Sequence, residues 1–373
     1  MRDAFGREID YLRISITDRC NLRCKYCMPS DLTLVSMDDL LTYEEILEVA
    51  KAAASLGIRK IKVTGGEPLV RKGCVELVRM LKKVPGIEQV TITTNGILLE
   101  KYLPELVEAG IDGINISLDT MDRERFYKIT GRDGFNQVLS SIRAACQTGV
   151  PVKLNVVSLD FARFPGIGEK AADSETANEK SEKGTDSKSM ITASENAEIM
   201  KGEEKLQEDW RQLIELAREL PLDVRFIEMM PIGFGRDFPA VSHDRFRRML
   251  ENSYPGIEAD DRIHGNGPAV YYRIPGFCGS VGLISAIHGK FCNSCNRIRM
   301  TSQGQIKSCL CYDCGADLRP ALRRQEGNTT ASEKCSSELQ QLLADAIWNK
   351  PGAHCFEHPE AMTEEKDMIA IGG

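Results

Sequence analysis

The chain has 373 residues, of which 42% are apolar and 28% charged, a balance that is typical of globular proteins and excludes collagen, coiled coil and general disorder. No run approaches about 18 apolar residues and the amino terminus lacks an apolar signal core, so we expect a cytoplasmic protein without a membrane span. The formal charge of −7 disfavours a nucleic-acid partner.

The first 230 residues alternate short β-rich segments with helical ones. The strands are predicted at Tyr11–Ile16, Lys60–Thr64, Val90–Thr94, Gly113–Leu118, Val152–Val157 and Val224–Met230. The helices are predicted at Tyr43–Leu56, Cys74–Lys83, Pro104–Ala109, Phe135–Thr148 and Leu206–Leu220. Thr42 and Glu45 form a capping box at the start of the first helix. The alternation predicts parallel βα units, and therefore an α/β fold with a partial (β/α)6 TIM-like barrel.

Polar or glycine-rich sequences follow four of these strands. They are residues 64–68 (TGGEP), 93–96 (TTNG), 117–119 (SLD) and 228–230 (EMM). Parallel βα barrels build their active sites at the carboxyl ends of the strands. Four such sequences at matching strand ends therefore predict an active site at that edge of the barrel.

The remaining segments differ in character from this barrel domain of residues 1–230. Residues 161–205 are charged and without aromatics after Phe164, which predicts a disordered acidic insertion. Residues 231–360 lose the alternation and are expected to form either a second layer or a C-terminal subdomain, with a helix at Ser336–Trp348. Residues 361–373 form a tail that ends in two glycines, which by itself predicts a frayed terminus.

Thirteen cysteines in an expected cytoplasmic protein favour metal or redox sites over disulfides. Cys20, Cys24 and Cys27 directly follow the first predicted strand. Three thiolates on one short loop can hold three irons of a [4Fe–4S] cluster and leave the fourth iron open to a small molecule. Structural zinc sites usually have four closed ligands, so the spacing favours the cluster, with zinc as the alternative.

A second group of cysteines allows two ligand sets. Cys292, Cys295 and Cys309 offer three more thiolates, whereas Cys292 and Cys295 with Cys311 and Cys314 fit a zinc pattern, which the spacing alone favours. The other cysteines are expected to be packing residues: Cys74, Cys146, Cys278, Cys335 and Cys355.

Two sets of motifs resemble a known family. The loop CNLRCKYC after a first strand, followed by GGEP, resembles the radical S-adenosylmethionine (radical SAM) superfamily. The run FCNSCNRIRMTSQGQIKSCL, with GSVGLIS before it and a terminal Gly-Gly, resembles the GTP 3′,8-cyclases of molybdenum cofactor biosynthesis. This resemblance covers residues 6–160, 206–325 and about the last dozen. The 161–205 insertion and the extra thiols at 311 and 314 depart from it.

The resemblance implies a radical SAM lyase that converts GTP to (8S)-3′,8-cyclo-7,8-dihydroguanosine 5′-triphosphate. It implies two [4Fe–4S] clusters: Cys20, Cys24 and Cys27 would bind the one that uses S-adenosylmethionine, and Cys292, Cys295 and Cys309 the one that contacts GTP. The first would generate a 5′-deoxyadenosyl radical, which takes hydrogen from the ribose of GTP.

The same resemblance assigns the other site residues by motif. The S-adenosylmethionine positions are Tyr26, Gly66, Ser117 and Met230, with Gly66 expected to let the backbone approach the methionine part. The GTP positions are Arg13, Lys62, Thr93, Lys153, Arg297 and Arg299. Gly372 and Gly373 match a diglycine that reaches into the active site and, with Arg297 and Arg299, would serve catalysis.

The implied partners are GTP, a cyclic pyranopterin monophosphate synthase as the next enzyme, and a flavodoxin or ferredoxin as electron donor, without a membrane or nucleic acid. A monomer and a homodimer are both compatible with the sequence. Two other functions stay open at this point. One is a radical SAM enzyme with an auxiliary cluster that acts on a peptide or other small metabolite, and the other is a zinc-ribbon binding protein.

Overall fold

The structure is a computed structural model that describes residues 1–28, 34–161, 193–238, 241–324 and 330–371. The strands are β1 (Tyr11–Ser15), β2 (Lys60–Thr64), β3 (Gln89–Thr94), β4 (Gly113–Ser117), β5 (Val152–Ser158), β6 (Leu222–Glu228), β7 (Glu258–Asp260), β8 (Val270–Arg273), β9 (Val281–Ile284), β10 (Arg297–Met300), β11 (Gln305–Lys307) and β12 (Gly315–Asp317). The helices are α1 (Tyr43–Ser55), α2 (Cys74–Lys82), α3 (Leu99–Glu108), α4 (Arg123–Thr130), α5 (Phe135–Cys146), α6 (Ala193–Glu219), α7 (His243–Ser253), α8 (Arg319–Leu322) and α9 (Thr330–Trp348). Of these helices, none has the length and apolarity needed to cross a membrane.

All of these strands belong to one sheet, in the order β12-β11-β10-β1-β2-β3-β4-β5-β6-β9-β8-β7. In the central run β10-β1-β2-β3-β4-β5-β6-β9, every pair of neighbouring strands is parallel. Antiparallel strands flank this run on both sides. Within the described residues the two outermost strands do not pair with each other, so the barrel is open. The predicted α/β fold with a partial TIM-like barrel is confirmed.

Two expectations about the later segments need correction. The residues after Pro231 extend the barrel's own sheet at both ends instead of forming a separate layer, because β9 pairs with β6 and β10 pairs with β1. Helix α6 begins at Ala193, so residues 193–205 of the expected disordered insertion are helical. Residues 162–192 of that insertion lie outside the described part of the chain.

The strand alternation separates an apolar outer face from a polar inner one. In β5, Val152, Leu154 and Val156 are buried in the main hydrophobic core, whereas Lys153 and Asn155 line a cavity inside the barrel. Because successive side chains of a strand point to opposite faces, one short sequence serves both the core and the site. The polar face is therefore carried by the same strands that stabilise the fold.

The predicted capping box at α1 is present. The Thr42 hydroxyl accepts from the Glu45 backbone N–H at 3.2 Å, and the Glu45 carboxylate accepts from the Thr42 N–H at 2.7 Å. We expect Thr42→Ala to lower the free energy of unfolding by about 1 kcal/mol, because it leaves a helix N–H without its side-chain partner. Chemical denaturation measures this, with Thr42→Ser as the control that keeps the hydroxyl. Equal stabilities of Thr42→Ala and the unchanged chain would contradict the assignment.

Candidate functional site

The first cysteine group lies on the loop that follows β1. The N–H groups of Cys27 and Met28 both donate to the Cys24 carbonyl, at 3.0 and 2.9 Å, which folds the loop into a tight turn. Burial raises the pKa of Cys24 well above its ordinary value, and the nearby Cys27, Asp119 and Cys20 raise it further. Burial likewise raises the pKa of Cys27 to about 12. The thiols of this loop therefore favour their neutral form, and a nearby cation is needed to hold them as thiolates.

The glycine-rich turn after β2 holds this loop by backbone contacts. Gly66 N–H donates to the Thr17 carbonyl at 2.7 Å, and Glu67 N–H donates to the Arg19 carbonyl at 2.8 Å. A Cβ at position 66 would lie 2.4 Å from the Arg19 oxygen. The close approach that requires glycine in the structure is thus to the cysteine loop itself, a reason the sequence analysis did not anticipate.

Glu67 connects the ends of β2 and β3. Its buried carboxylate accepts from Leu69 N–H at 3.0 Å, from Asn95 N–H at 2.6 Å and from the Thr94 hydroxyl at 2.8 Å. Burial raises the pKa of Glu67 to about 7, against the lowering effect of these hydrogen bonds. The Asn95 amide lies 3.6 Å from Cys20 Sγ, so this network reaches the cysteine loop.

The residues predicted for S-adenosylmethionine lie at the carboxyl ends of the strands. The Tyr26 hydroxyl donates to Asp119 at 2.7 Å, and Asp119 also accepts from Val157 N–H at 2.9 Å. Ser117 is the last residue of β4, and Met230 follows the end of β6 by two residues. With Gly66 after β2, the four predicted residues thus share the edge of the barrel that carries the cysteine loop.

A cavity of about 580 Å³ occupies the inside of the barrel. Its lining includes five of the six residues predicted for GTP, namely Arg13, Lys62, Thr93, Lys153 and Arg297. Arg299 does not line this cavity. It is buried beside it on β10, where it is the direct register partner of Arg13, which in turn pairs with Lys62.

The cavity concentrates positive charge. Burial lowers the pKa of Lys62 well below its ordinary value, and the neighbouring Arg225, Arg13 and Lys153 lower it further. Burial also lowers the pKa of Arg13 to about 10 and that of Lys153 to about 8. Cations that are buried together in this way favour an anionic ligand, because the ligand's charge relieves both their desolvation and their mutual repulsion.

Arg225, which no sequence motif indicated, lies on β6 and lines the same cavity. Its guanidinium donates to Asn115 Oδ1 at 2.6 Å and to Asn155 Oδ1, while its Nε is buried and has no hydrogen-bond partner among the described residues. The available signal was an arginine between apolar residues in the strand sequence LDVRFIE. A charge at an inward position of a buried strand marks a polar interior.

The second cysteine group lies at the adjacent strands β10 and β11. Cys292 and Cys295 bound a short turn before β10, and Cys309 follows β11 by two residues. Burial raises the pKa of Cys295, but Lys350 and Arg297 lower it more strongly, so that the net shift is downward. Burial raises the pKa of Cys309, and the proximity of Cys295 contributes to this shift. Cys309 thus interacts electrostatically with both Cys295 and Cys314.

Cys311 contacts a cysteine that belongs to neither of the two predicted ligand sets. It is fully buried, and its Sγ lies 3.0 Å from Sγ of Cys355, a residue expected only to pack. In the described part of the chain, no three His, Cys, Asp or Glu side chains are grouped tightly enough to hold a single metal ion. The predicted Gly372 and Gly373 lie outside the described residues, and Ile371 before them is fully buried.

Comparison with known proteins agrees with this arrangement. Residues 14–161 match the model of the Radical SAM superfamily, and residues 222–356 match Molybdenum Cofactor Synthesis C. The chain is 39% identical to a GTP 3′,8-cyclase of Clostridium perfringens (strain 13 / Type A) over 375 residues and 40% identical to one of Heliobacterium modesticaldum over 378, with 100% of each chain covered. The structure of Streptococcus suis SuiB bound to S-adenosylmethionine shares the fold, with a TM-score of 0.52, 13% identity and coverage of 97% of this chain and 77% of that one.

Replacing Gly66 by alanine should release the iron of the first cysteine group. The added Cβ would collide with the Arg19 carbonyl and displace the loop. We expect the iron held at this loop, about four atoms per chain, to be lost after anaerobic reconstitution. Gly267→Ala is the control, since a Cβ there meets its nearest atom at an ordinary 3.7 Å. Iron retained in full by Gly66→Ala would contradict this role for the turn.

Proposed function

Because this chain belongs to the GTP 3′,8-cyclase family, within the radical SAM superfamily, we propose that it converts GTP to (8S)-3′,8-cyclo-7,8-dihydroguanosine 5′-triphosphate in molybdenum cofactor biosynthesis. Relatives of that name align over the whole chain. The superfamily carries a [4Fe–4S] cluster with S-adenosylmethionine, and the three thiols of Cys20, Cys24 and Cys27 on one tight loop fit it. When bound, these cofactors supply the 5′-deoxyadenosyl radical that takes hydrogen from the sugar.

The cationic cavity is the observation that carries this proposal. A nucleoside triphosphate brings several negative charges, and guanidinium groups match phosphate oxygens with two parallel hydrogen bonds. Arg13, Lys62, Lys153 and Arg297 would neutralise the triphosphate, and the Thr93 hydroxyl offers a further hydrogen bond. The buried Nε of Arg297 has no hydrogen-bond partner within the described protein, which supports its assignment to a ligand.

The residues at the strand ends would orient S-adenosylmethionine. Ser117 suits the ribose hydroxyls, and Met230 suits the adenine. Gly66 holds the cysteine loop in place through its close backbone contacts. Asp119 accepts the hydroxyl proton of Tyr26 in a hydrogen bond and so fixes the ring beside Cys27. These residues bind and orient the cofactor, and the surrounding barrel limits the access of water to the reaction.

A second [4Fe–4S] cluster at Cys292, Cys295 and Cys309 is part of the proposal. The contact between Cys311 and Cys355 supports this ligand set over the zinc set, since the Cys311 thiol is engaged with a cysteine that belongs to neither set. Arg7 donates to the Cys292 carbonyl at 2.8 Å and so braces the turn that carries two of the ligands. Arg299, beside Arg13 and Arg297, would complete the positive wall near this cluster. Gly372 and Gly373 would follow Ile371 toward the substrate.

The remaining partners follow from the chemistry. We propose that a flavodoxin or ferredoxin of the cytoplasm delivers the electron, and that a cyclic pyranopterin monophosphate synthase takes up the cyclised nucleotide. Both assignments rest on the family and the proposed product.

Single cysteine variants distinguish the two ligand sets at the second site. We expect the unchanged chain to bind about eight irons and no stoichiometric zinc, and Cys309→Ser to retain about four. Cys314→Ser is the matched control and should retain the full iron content. Iron and zinc analysis after anaerobic reconstitution measures both. Loss of metal in Cys314→Ser with full retention in Cys309→Ser would refute the proposed cluster in favour of zinc.

The pH dependence of GTP binding tests the triphosphate pocket. The pKa of Lys153 lies at about 8, so its ammonium is charged below that value and is lost as the pH rises through it. We therefore expect GTP affinity to fall by about tenfold across this range, the contribution of one charged contact. Lys153→Arg should remove most of this fall, because arginine stays protonated. Calorimetric titration with GTP measures this affinity. Identical pH profiles of the unchanged chain and Lys153→Arg would rule out a contact between Lys153 and GTP.

A further inference from the structure

A buried ion pair anchors the carboxyl-terminal segment. Glu364 forms an ion pair with Lys307 of β11, and the exposed fractions of the two side chains are only 1% and 3%. Lys307 also pairs with Asp313 at 2.8 Å, but that carboxylate is 68% exposed and therefore screened by solvent. Removing one member of a buried pair leaves an uncompensated charge in the interior, so the position of Glu364 is strongly specified.

The backbone around Glu364 is also held. The N–H groups of Thr363 and Glu364 approach the Cys311 carbonyl at 3.3 and 3.4 Å, and the Arg236 guanidinium donates to the Glu364 carbonyl at 3.2 Å. The Lys366 N–H donates to Glu364 Oε1 at 3.0 Å. The carboxylate therefore connects the tail to β11 and shapes the turn that leads toward the chain end.

The segment after this turn lies on the loop that follows β6. Asp367 packs so closely on Gly233 that a Cβ at 233 would lie 2.4 Å from its Oδ1. Ile371 is fully buried in a small hydrophobic cluster with Ile232, against which Met230 packs. The tail thus runs from the second cysteine group to the strand end expected to hold S-adenosylmethionine.

The other member of the ion pair is linked to the cationic cavity. Lys307 is the direct register partner of Arg299 in the antiparallel pair of β10 and β11, and Arg299 in turn pairs with Arg13. We propose that Glu364 is a positioning residue, which fixes the path of the tail relative to the strand that carries Arg297 and Arg299. The predicted effect on turnover rests on the proposed function, whereas the predicted effect on the position of the tail does not.

Glu364→Gln tests the proposal, because it keeps the shape of the side chain and removes its charge. Glu365→Gln, at the neighbouring exposed residue, is the matched control. We expect hydrogen exchange of residues 365–371 to become about tenfold faster in Glu364→Gln, with little change elsewhere in the chain. We also expect kcat for nucleotide cyclisation to fall about tenfold while the Kd for GTP stays within about twofold. Glu364→Asp, which retains the charge, should recover part of both effects.

Unchanged exchange of 365–371 in Glu364→Gln would overturn the proposal, and so would faster exchange throughout the chain, which indicates a general loss of stability. An equal effect of Glu365→Gln would overturn it as well. Exchange is measured without substrate, so the absence of cyclase activity in the unchanged chain would refute the proposed function and leave this measurement valid.

Discussion

The concentration of buried positive charge inside the barrel is the constraint on which the rest of the structure depends. Lys62, Arg13 and Lys153 have lowered pKa values because burial and their neighbours both oppose their charges. Such an arrangement costs free energy in the isolated protein, and an anionic ligand offsets that cost when it binds. The barrel must therefore be stabilised elsewhere, by the apolar outer faces of the same strands against the helices.

The register of the strands places these cations side by side. Arg299, Arg13 and Lys62 are consecutive register partners across β10, β1 and β2, so their backbone positions are set by the hydrogen bonds of the sheet. The cysteine loop begins where β1 ends, and the turn after β2 fixes it through the N–H groups of Gly66 and Glu67. The cationic cavity and the cysteine loop are thus built on the same two strands, which fixes the distance between them.

The sequence predicted what depends on local patterns. The capping box of Thr42, the six barrel strands and the loop of Cys20 to Cys27 all follow from residue spacing within short segments. The parallel pairing of β9 and β10 with the barrel was missed, because four-residue strands separated by glycine-rich turns carry too little periodicity. The start of helix α6 was placed too late, since Ile199 and Met200 are the only large apolar residues of this helix before Leu206 and give no helical periodicity.

The candidate site, like the fold, could be predicted only in part from the sequence. Motif positions identified five residues that line the cavity, but not Arg225, whose role depends on its contacts with Asn115 and Asn155 from two other strands. The contact of Cys311 with Cys355 joins residues 44 positions apart and could not be found from spacing. The buried pair of Lys307 and Glu364 is a similar case, because only the folded chain brings β11 and the tail together.

Formation of 5′-deoxyadenosine by the anaerobically reconstituted protein, with S-adenosylmethionine and a reductant, tests the central claim most directly. We expect GTP to stimulate this formation strongly and a cyclised nucleotide triphosphate to accumulate in step with it. Equal formation with and without GTP, and no cyclised nucleotide, from protein shown to hold its iron would refute the proposed cyclase activity.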